Sequence, residues 1–261
     1  MKLTLLAVIL LFAIAGASYA GQPLVTDDTG TLGAGKIQLE SGVAIGRDKE
    51  RIFSDDGAMV IRKTQTGEAL MVLTYGVHDK ADAVLSVPYL WYRVRHDGAL
   101  AGRSDGLGDV GLDLKWRFFE QDGWSFALKP GLTLPTGDDE RGFGSGRIAY
   151  RLYFITTKEL EPFAFHANLG YIRNENSSDD RRNLWHASLA SEAELVKNLK
   201  AVVDIGVDTN SSRSSNSSPA YVLGGLVYTI TDAVSVDAGV KFGLTKPETD
   251  ISYLFGLTFK F

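Results

Sequence analysis

The stretch DISYLFGLTFKF, residues 250–261 at the end of the chain, decides the fold class. Every second position is apolar: Ile251, Tyr253, Phe255, Leu257, Phe259 and Phe261. The positions between them carry Ser252, Gly256, Thr258 and Lys260, and Leu254 is the exception. Because successive side chains of a β-strand point to opposite faces, this alternation predicts a strand with one apolar and one polar face.

The same period recurs along the chain after Lys36, in segments of about ten residues. We predict twelve strands, at 36–47, 67–77, 83–95, 108–119, 124–136, 146–157, 163–174, 184–195, 200–208, 219–230, 234–244 and 250–261. Long polar connections, such as 48–66, 96–107 and 137–145, follow the odd strands, and short ones follow the even strands. Short periplasmic turns and longer outer loops are typical of outer-membrane barrels. The pattern therefore favours an all-β fold, a transmembrane antiparallel up-and-down β-barrel of the Gram-negative outer membrane, over a soluble β-sandwich.

Aromatic residues support this orientation, because their rings favour the two membrane interfaces. The predicted periplasmic belt contains Trp116, Phe118, Trp124, Phe126, Phe163 and Phe165. The predicted outer belt contains Tyr89, Trp91, Tyr171, Trp185, Tyr221 and Tyr253. Pro88 and Pro130 each remove a hydrogen-bond donor inside a strand, so we expect local irregularities there. The terminal Phe261 resembles the assembly signal of such barrels, which implies the barrel assembly machinery as a partner.

The beginning of the chain has the features of a secretory signal peptide. Met1-Lys2 is followed by an apolar run, and small residues precede a predicted cleavage after Ala20. Without Lys2 the chain carries 26 Lys and Arg against 32 Asp and Glu, a net charge of −6, which disfavours nucleic acid as a partner. We therefore divide the chain into a cleaved signal peptide at 1–20, an N-terminal periplasmic segment at 21–35 and a β-barrel at 36–261.

Three stretches form a set of motifs: 23–31 before the first strand, 106–110 leading to Lys115, and 135–138 followed by 142–146 in the third outer loop. In order and spacing they resemble motifs of the outer-membrane proteins grouped as the MetA-pathway of phenol degradation family. The matching motif residues are Thr26, Asp27, Asp28, Thr29, Gly30, Gly108, Asp109, Pro135, Thr136, Gly137 and Asp138. The resemblance covers nearly the whole mature chain. It implies a barrel that passes aromatic or other hydrophobic compounds across the outer membrane.

Asp28-Thr29-Gly30 also matches the active-site tripeptide of aspartic proteases. Those enzymes need two such loops, so that two carboxylates share a proton. This sequence has no second Asp-Thr-Gly or Asp-Ser-Gly tripeptide. We interpret the tripeptide as a turn in which Asp and Thr side chains accept backbone hydrogen bonds. The segment then either closes the periplasmic mouth of the barrel or folds into its lumen.

His186-Ala187-Ser188 has the His-x-Ser spacing of outer-membrane lipid hydrolases. Strand parity sends Trp185 and Leu189 towards lipid and therefore sends His186 and Ser188 into the lumen. A lipid hydrolase using this pair is the second alternative function, and we expect no enzyme. No His or Cys spacing fits a metal site, and no cofactor is expected.

Strand parity also predicts a lumen lined by charges of both signs. The candidate lumen residues are Asp113, Lys115, Arg117, Lys129, Arg147, Arg151, His166, Glu192, Glu194, Asp204, Asp237 and Lys241. The cations of strands four to six form a basic wall in this prediction, facing acidic residues of strands eight, nine and eleven. Either these groups line a narrow porin-like channel, or they pair across a filled structural or adhesion barrel.

We favour transport, by an outer-membrane channel or transporter for small, aromatic or hydrophobic solutes. The expected partners are the solute, outer-membrane lipid and lipopolysaccharide.

Overall fold

The computed structural model describes residues 22–53 and 57–261, so the predicted signal peptide and its cleavage site lie outside the described residues. The described chain folds into thirteen strands. They are β1 (Ile37–Phe53), β2 (Met59–His78), β3 (Ala81–His96), β4 (Ala99–Leu107), β5 (Val110–Gln121), β6 (Trp124–Leu134), β7 (Ala149–Leu160), β8 (Phe163–Arg173), β9 (Asn183–Val196), β10 (Leu199–Asp208), β11 (Ala220–Thr231), β12 (Val234–Gly243) and β13 (Ile251–Lys260). Among these residues, no helix is long and apolar enough to cross a membrane.

The sheet closes into a barrel with twelve positions around its circumference. Each strand pairs antiparallel with its neighbours, and β1 closes the ring by pairing with β13. The fourth position is shared by two strands, because β5 pairs with Ala81–Ser86 of β3 and β4 pairs with Tyr89–His96 of the same strand. The predicted fold class, an antiparallel barrel of about twelve strands, is confirmed.

Connection lengths distinguish the two ends of the barrel. At one end five turns each leave two residues between strands, at 79–80, 122–123, 161–162, 197–198 and 232–233. Asp122 and Gly123 have φ angles of 52° and 72°, as expected for a tight hairpin turn with two left-handed residues. At the other end the connections at 135–148, 174–182, 209–219 and 244–250 are longer. The predicted alternation is confirmed for these four outer connections and the five short turns, and the end with the longer connections is the outer one.

Two predicted outer loops are wrong. The predicted loop at 48–66 is mostly strand, since β1 and β2 stay paired from Ile37↔Tyr75 as far as Phe53↔Met59. The predicted loop at 96–107 contains β4. The outer parts of β1 and β2, together with β4, are outer extensions of the barrel wall and carry polar residues on both faces. They therefore lack the apolar lipid-facing side from which the other strands were predicted. Backbone pairing requires no apolar face when both faces lie in water.

The two faces of the barrel wall have inverted polarity compared with a soluble protein. Large apolar side chains such as Leu114, Trp116 and Leu189 are exposed on the outside. Polar side chains such as Lys129 and Asp204 are buried on the inside. Tyr221 is a correction to the predicted outer belt, because it lies on the inner face with 2% of its surface exposed.

The two prolines interrupt the pairing of their strands without shifting its register at either residue. At Pro88 the partner of β3 changes from β5 to β4, and the Pro88 carbonyl accepts a hydrogen bond of 2.9 Å from the Gly108 amide. Beside Pro130 the β5–β6 pairing runs from Asp113↔Gly131 to Trp116↔Leu128, with no pairs between. A proline lacks the amide hydrogen needed for a continuous ladder.

The chain end completes the closure of the barrel. The Phe261 amide donates to the Ile37 carbonyl at 2.8 Å, and the Ile37 amide donates to the Phe261 carbonyl at 3.2 Å. We expect deletion of Phe261 to lower the yield of folded barrel, because it removes the last pair of the seam and the terminal aromatic ring. The measurement is the shift between folded and boiled protein on a detergent gel. Phe255→Ala, which truncates an exposed ring on the same strand, is the control. A folded yield equal to that of the control would contradict Phe261 as the assembly signal.

Candidate functional site

The N-terminal segment, residues 22–35, enters the barrel from its periplasmic end. The Gly35 amide donates to the Gly76 carbonyl at 2.8 Å, which fixes the segment beside the start of β1. From there residues 23–29 run through the interior, where Leu24, Thr26 and Asp27 are buried. Of the two positions that the sequence left open, the structure has the segment in the lumen.

Asp27 is the electrostatic centre of the segment. One carboxylate oxygen lies 2.8 Å from the Lys115 ammonium, and the other lies 2.7 Å from the Lys129 ammonium. The backbone of Asp27 is held by Asn168, whose amide side chain accepts from the Asp27 N–H at 2.7 Å and donates to its carbonyl at 2.8 Å. All these groups are buried, where a hydrogen-bonded charge pair is far less screened than at a surface.

Asp204 on β10 holds the preceding residues. Its carboxylate accepts hydrogen bonds from the amides of Val25 at 2.8 Å and Thr26 at 2.7 Å, and from the Thr26 hydroxyl at 2.7 Å. The Tyr221 hydroxyl donates to the same carboxylate at 3.2 Å. Asp204 has no exposed surface, so water does not stabilise its charge. Among the described residues, these four hydrogen bonds stabilise it instead.

The predicted turn is present only in part, because Asp28 alone accepts a hydrogen bond from a nearby backbone amide. The Asp27 carboxylate contacts two lysines instead, and the Thr29 hydroxyl contacts the Ser125 hydroxyl. The Asp28 carboxylate accepts from the Gly30 amide at 2.5 Å, and the Thr29 amide donates to the Thr157 hydroxyl at 3.2 Å. Thr157 in turn lies 2.9 Å from the His166 ring. The nearest charged group described for Asp28 is Lys115, 3.7 Å away. A carboxylate beside an ammonium is the opposite of the paired acids that an aspartic protease needs.

An apolar cluster accompanies the polar contacts. Leu24 belongs to a buried cluster inside the barrel whose other members are five side chains of the inner wall: Ala190, Val202, Tyr221, Leu223 and Leu254. Leu254, the exception to the alternation of the last strand, is therefore an inward residue that meets the segment. Strand parity predicted charged residues on the inner face, and these apolar lumen residues were not predicted. Breaks in the alternation, such as Leu254, were the available signal.

The other family motifs meet at the third outer loop, residues 135–148. The Asp109 carboxylate accepts from the Gly137 amide at 2.9 Å and from the Ser145 amide at 2.7 Å. The Thr136 hydroxyl donates to the Gly108 carbonyl at 3.1 Å. Hydrogen bonds from Arg141 hold the pKa of the Asp138 carboxyl below its usual value. The loop is thereby fastened to the β4–β5 junction.

Phe143 of the third outer loop anchors it to the barrel. Its side chain is buried against Leu90, Tyr92 and Val94 of β3. The motif residues at 108–109 and 135–138 thus position a loop at the outer mouth, while those at 26–30 position the segment in the lumen.

The predicted lumen residues fall into four groups by burial and position. The buried inner-wall residues are Asp113, Lys115, Lys129, Arg151, His166, Asp204 and Asp237. Arg117, Glu192 and Lys241 are half-buried on the same face, and Glu194 is exposed near the periplasmic end. Arg147 lies in the third outer loop before β7 and is exposed, so its placement on a lumen strand is wrong.

The predicted basic wall facing an acidic wall is also wrong. Lys115 and Lys129 contact Asp27 of the segment, and Arg151 contacts Asp113, two strands away, at 2.6 and 2.7 Å. Strand parity gives the face on which a charge lies, but it does not give the partner. The partner of Lys115 and Lys129 lies on the segment, and the partner of Arg151 lies on β5.

His186 and Ser188 contact each other as the His-x-Ser spacing suggests. His186 lies 2.9 Å from the Ser188 hydroxyl and 2.8 Å from the Asp208 carboxylate. Both side chains are buried on the inner wall, with 3% and 5% of their surfaces exposed. Lipid on the outer face of the barrel does not reach them. Among the described residues, no group of three His, Asp or Glu side chains could hold a metal ion.

The Arg151–Asp113 pair provides a test of the inner wall. We expect Arg151→Gln to destabilise the barrel by about 3 kcal/mol, because it leaves the Asp113 charge buried without its guanidinium partner. The measurement is the temperature at which the folded band converts to the unfolded band on a detergent gel. Arg147→Gln, an exposed change of the same kind, is the control and should leave that temperature unchanged. Equal behaviour of the two variants would contradict the buried pair.

Solved structures share the fold at low sequence identity. An outer membrane channel from Pseudomonas putida F1 matches with a TM-score of 0.69 and 15% identity, covering 90% of this chain and 98% of that one. The NanC porin matches with a TM-score of 0.53 and 12% identity, covering 86% and 100%. The translocator domain of the autotransporter NalP from Neisseria meningitidis matches with a TM-score of 0.52 and 11% identity, covering 89% and 91%.

These similarities show the fold, an outer-membrane β-barrel. No curated protein matches the sequence. The family model described as "Putative MetA-pathway of phenol degradation" matches residues 20–261, which include the segment, the third outer loop and every strand. The chain belongs to this family of outer-membrane barrels.

Proposed function

We propose that this protein is an outer-membrane channel for small solutes, with a lumen narrowed by the N-terminal segment. One observation carries the proposal: inner-wall residues of several strands use the segment as their binding partner. Lys115, Lys129, Asn168 and Asp204 all contact residues 25–27. A barrel filled only by its own side chains would pair them with one another.

The dimensions of the barrel support the same proposal. Eight strands leave an interior just wide enough for side chains, and the diameter grows with strand number. Twelve strands enclose more space, and here a separate stretch of chain occupies part of it. The covalent connection between the segment and the wall is at the start of β1. The position of the segment in the lumen therefore depends on non-covalent contacts, which can be broken. A filled structural or adhesion barrel is the alternative.

The inner wall suggests a class of solute. Several apolar groups lie on it, including the Leu24 cluster, a group formed by Ala127, Tyr153, Ile155, Ile172 and Leu184, and a group formed by Leu70, Val72 and Val84. Buried charged and hydroxyl side chains are also part of this wall. Such a surface suits a solute with an apolar body and a polar tip, such as a monocyclic aromatic alcohol or carboxylate. The family description, which refers to phenol degradation, supports this class.

The test is solute uptake by liposomes that contain the full-length mature barrel. We expect faster swelling with monocyclic aromatic alcohols or carboxylates than with sugars of equal mass, after subtraction of the rate in protein-free liposomes. Equal rates for the two classes would contradict the proposed solute preference. Rates equal to those of protein-free liposomes for every solute would contradict the channel itself and favour the filled barrel.

A lipid hydrolase is not the function we propose. Its candidate residues, His186 and Ser188, face the interior and are buried among inner-wall side chains. The outer-membrane barrels that share the fold include a channel and a porin. Outer-membrane lipid and the barrel assembly machinery remain partners that we propose from the fold, the membrane location and the terminal Phe261.

A further inference from the structure

The outer extensions of β1 to β4 carry a patch of positive charge on the outward face. The basic patch consists of Arg47, Lys49, Lys63, Arg93, Arg95 and Arg103. Strand register places these residues in two adjacent rows. One row runs through Arg47↔Gln65↔Arg93↔Arg103, and the other runs through Lys49↔Lys63↔Arg95.

Parity shows that the patch faces away from the lumen. On β3 the buried residues Tyr92 and Val94 point inwards, so Arg93 and Arg95 between and beyond them point outwards and are exposed. On β2 the buried Thr64 points inwards, so Lys63 points outwards. The basic patch is therefore separate from the charges of the inner wall.

The height of the patch coincides with the outer edge of the membrane. Trp91 precedes Arg93 by two residues on β3, so the two lie about 7 Å apart along the strand. Arg47 lies 5.8 Å from the centre of the Tyr253 ring, which is also an outer-belt residue. Because Trp and Tyr rings lie at the headgroup level of a bilayer, the cations lie at the outer edge of that level, beside the polar headgroups of the outer leaflet.

The patch also has the shape of a binding site. Five of its six cations, all except Arg103, line a groove of about 450 Å³. Asp48 and Asp250 lie in the same groove, but each accepts a backbone hydrogen bond, from Asp250 N at 2.8 Å and from Lys49 N at 3.0 Å. Across residues 22–53 and 57–261, none of the six cations has an ion pair within 4.0 Å.

A concentration of cations that have no ion pair with any described residue is unusual on this chain, whose overall net charge is −5. Arg and Lys donate charge-assisted hydrogen bonds to phosphate oxygens, and Arg does so with two parallel donors. Basic side chains next to a membrane attract anionic lipid headgroups. Phosphates carried by lipid are anionic groups of the outer leaflet that such donors fit.

We propose that the basic patch binds the lipid-borne phosphate groups of lipopolysaccharide. The barrel then presents two different surfaces to its surroundings, a lumen for solutes and an outer site for one lipid headgroup. The site does not depend on whether the lumen conducts, so the two proposals fail separately.

The test uses the full-length mature barrel in detergent, titrated with rough lipopolysaccharide that carries its lipid A phosphates and monitored by native mass spectrometry. We expect Arg93→Gln combined with Arg95→Gln to weaken binding on the order of 30-fold, from about fivefold for each cation removed. The matched control is Arg182→Gln with Arg213→Gln, which removes two exposed cations from other outer connections. The control should bind as the unchanged protein does. Gel mobility of the unboiled protein confirms that both variants are folded.

Three results would overturn the proposal. The first is equal binding by the two double variants. The second is equal binding of lipopolysaccharide before and after phosphatase treatment, which would indicate apolar contact alone. The third is complete competition by inorganic phosphate at millimolar concentration, which would indicate a site for a free anion.

Discussion

Removing residues 22–30 is expected to raise the uptake of a hydrophilic disaccharide into proteoliposomes severalfold. The deletion removes the chain that contacts Lys115, Lys129, Asn168 and Asp204, and these polar groups would then face water in a wider lumen. Residues 31–35 stay in place, so the Gly35 contact at the periplasmic end is retained.

Rescue is the control for this deletion. A synthetic peptide of residues 22–30 is added to the compartment that the short turns face. It is expected to slow uptake by the deletion variant again. A peptide of the same composition in scrambled order should have no effect. Unchanged uptake by the deletion variant, with the barrel folded, would show that the segment does not limit the size of the lumen.

Asp27→Asn is expected to have the second large effect, on stability and on uptake together. It removes the negative charge that two buried ammonium groups share, and loss of one member of a buried ion pair costs about 3 to 5 kcal/mol. Part of this cost is avoided if the segment leaves the lumen and the lysines become hydrated, so uptake of the disaccharide should rise. The measurements are the temperature of band conversion on a detergent gel and the uptake rate.

Asp28→Asn is the matched control, because it makes the same change one residue along. Its carboxylate is 45% exposed and lies 3.7 Å from Lys115, so it should change both measurements little. If Asp27→Asn and Asp28→Asn behaved alike in both measurements, Asp27 would not be the residue that holds the segment.

The barrel could be predicted from the sequence because a membrane imposes a strict period on its strands. Residues such as Leu112, Leu114 and Trp116 must all meet lipid, and every second side chain of a strand lies on one face. The turns added a second signal, since each periplasmic connection needs only two residues. Where the chain rises above the membrane this constraint ends, and β4 and the outer part of β1 and β2 were not predicted.

The candidate site was predicted only as a set of inward faces. Parity placed Lys115, Lys129 and Asp204 on the inner wall, but it could not give their partners, because Val25, Thr26 and Asp27 lie 88 to 179 residues away in sequence. The segment has no period of its own from which a position could be inferred. Tyr221 shows the same limit, because its aromatic ring suggested a membrane interface, whereas its hydroxyl contacts Asp204 inside the barrel.

A solute channel narrowed by residues 22–35 should be visible in single-channel recordings in planar bilayers. The full-length mature barrel is compared with the variant that lacks residues 22–30. We expect small conductance steps for the full-length protein and larger steps for the variant, with both proteins folded by their gel mobility. An absence of steps from both folded proteins would contradict the channel and would show that the interior is filled by the barrel's own side chains.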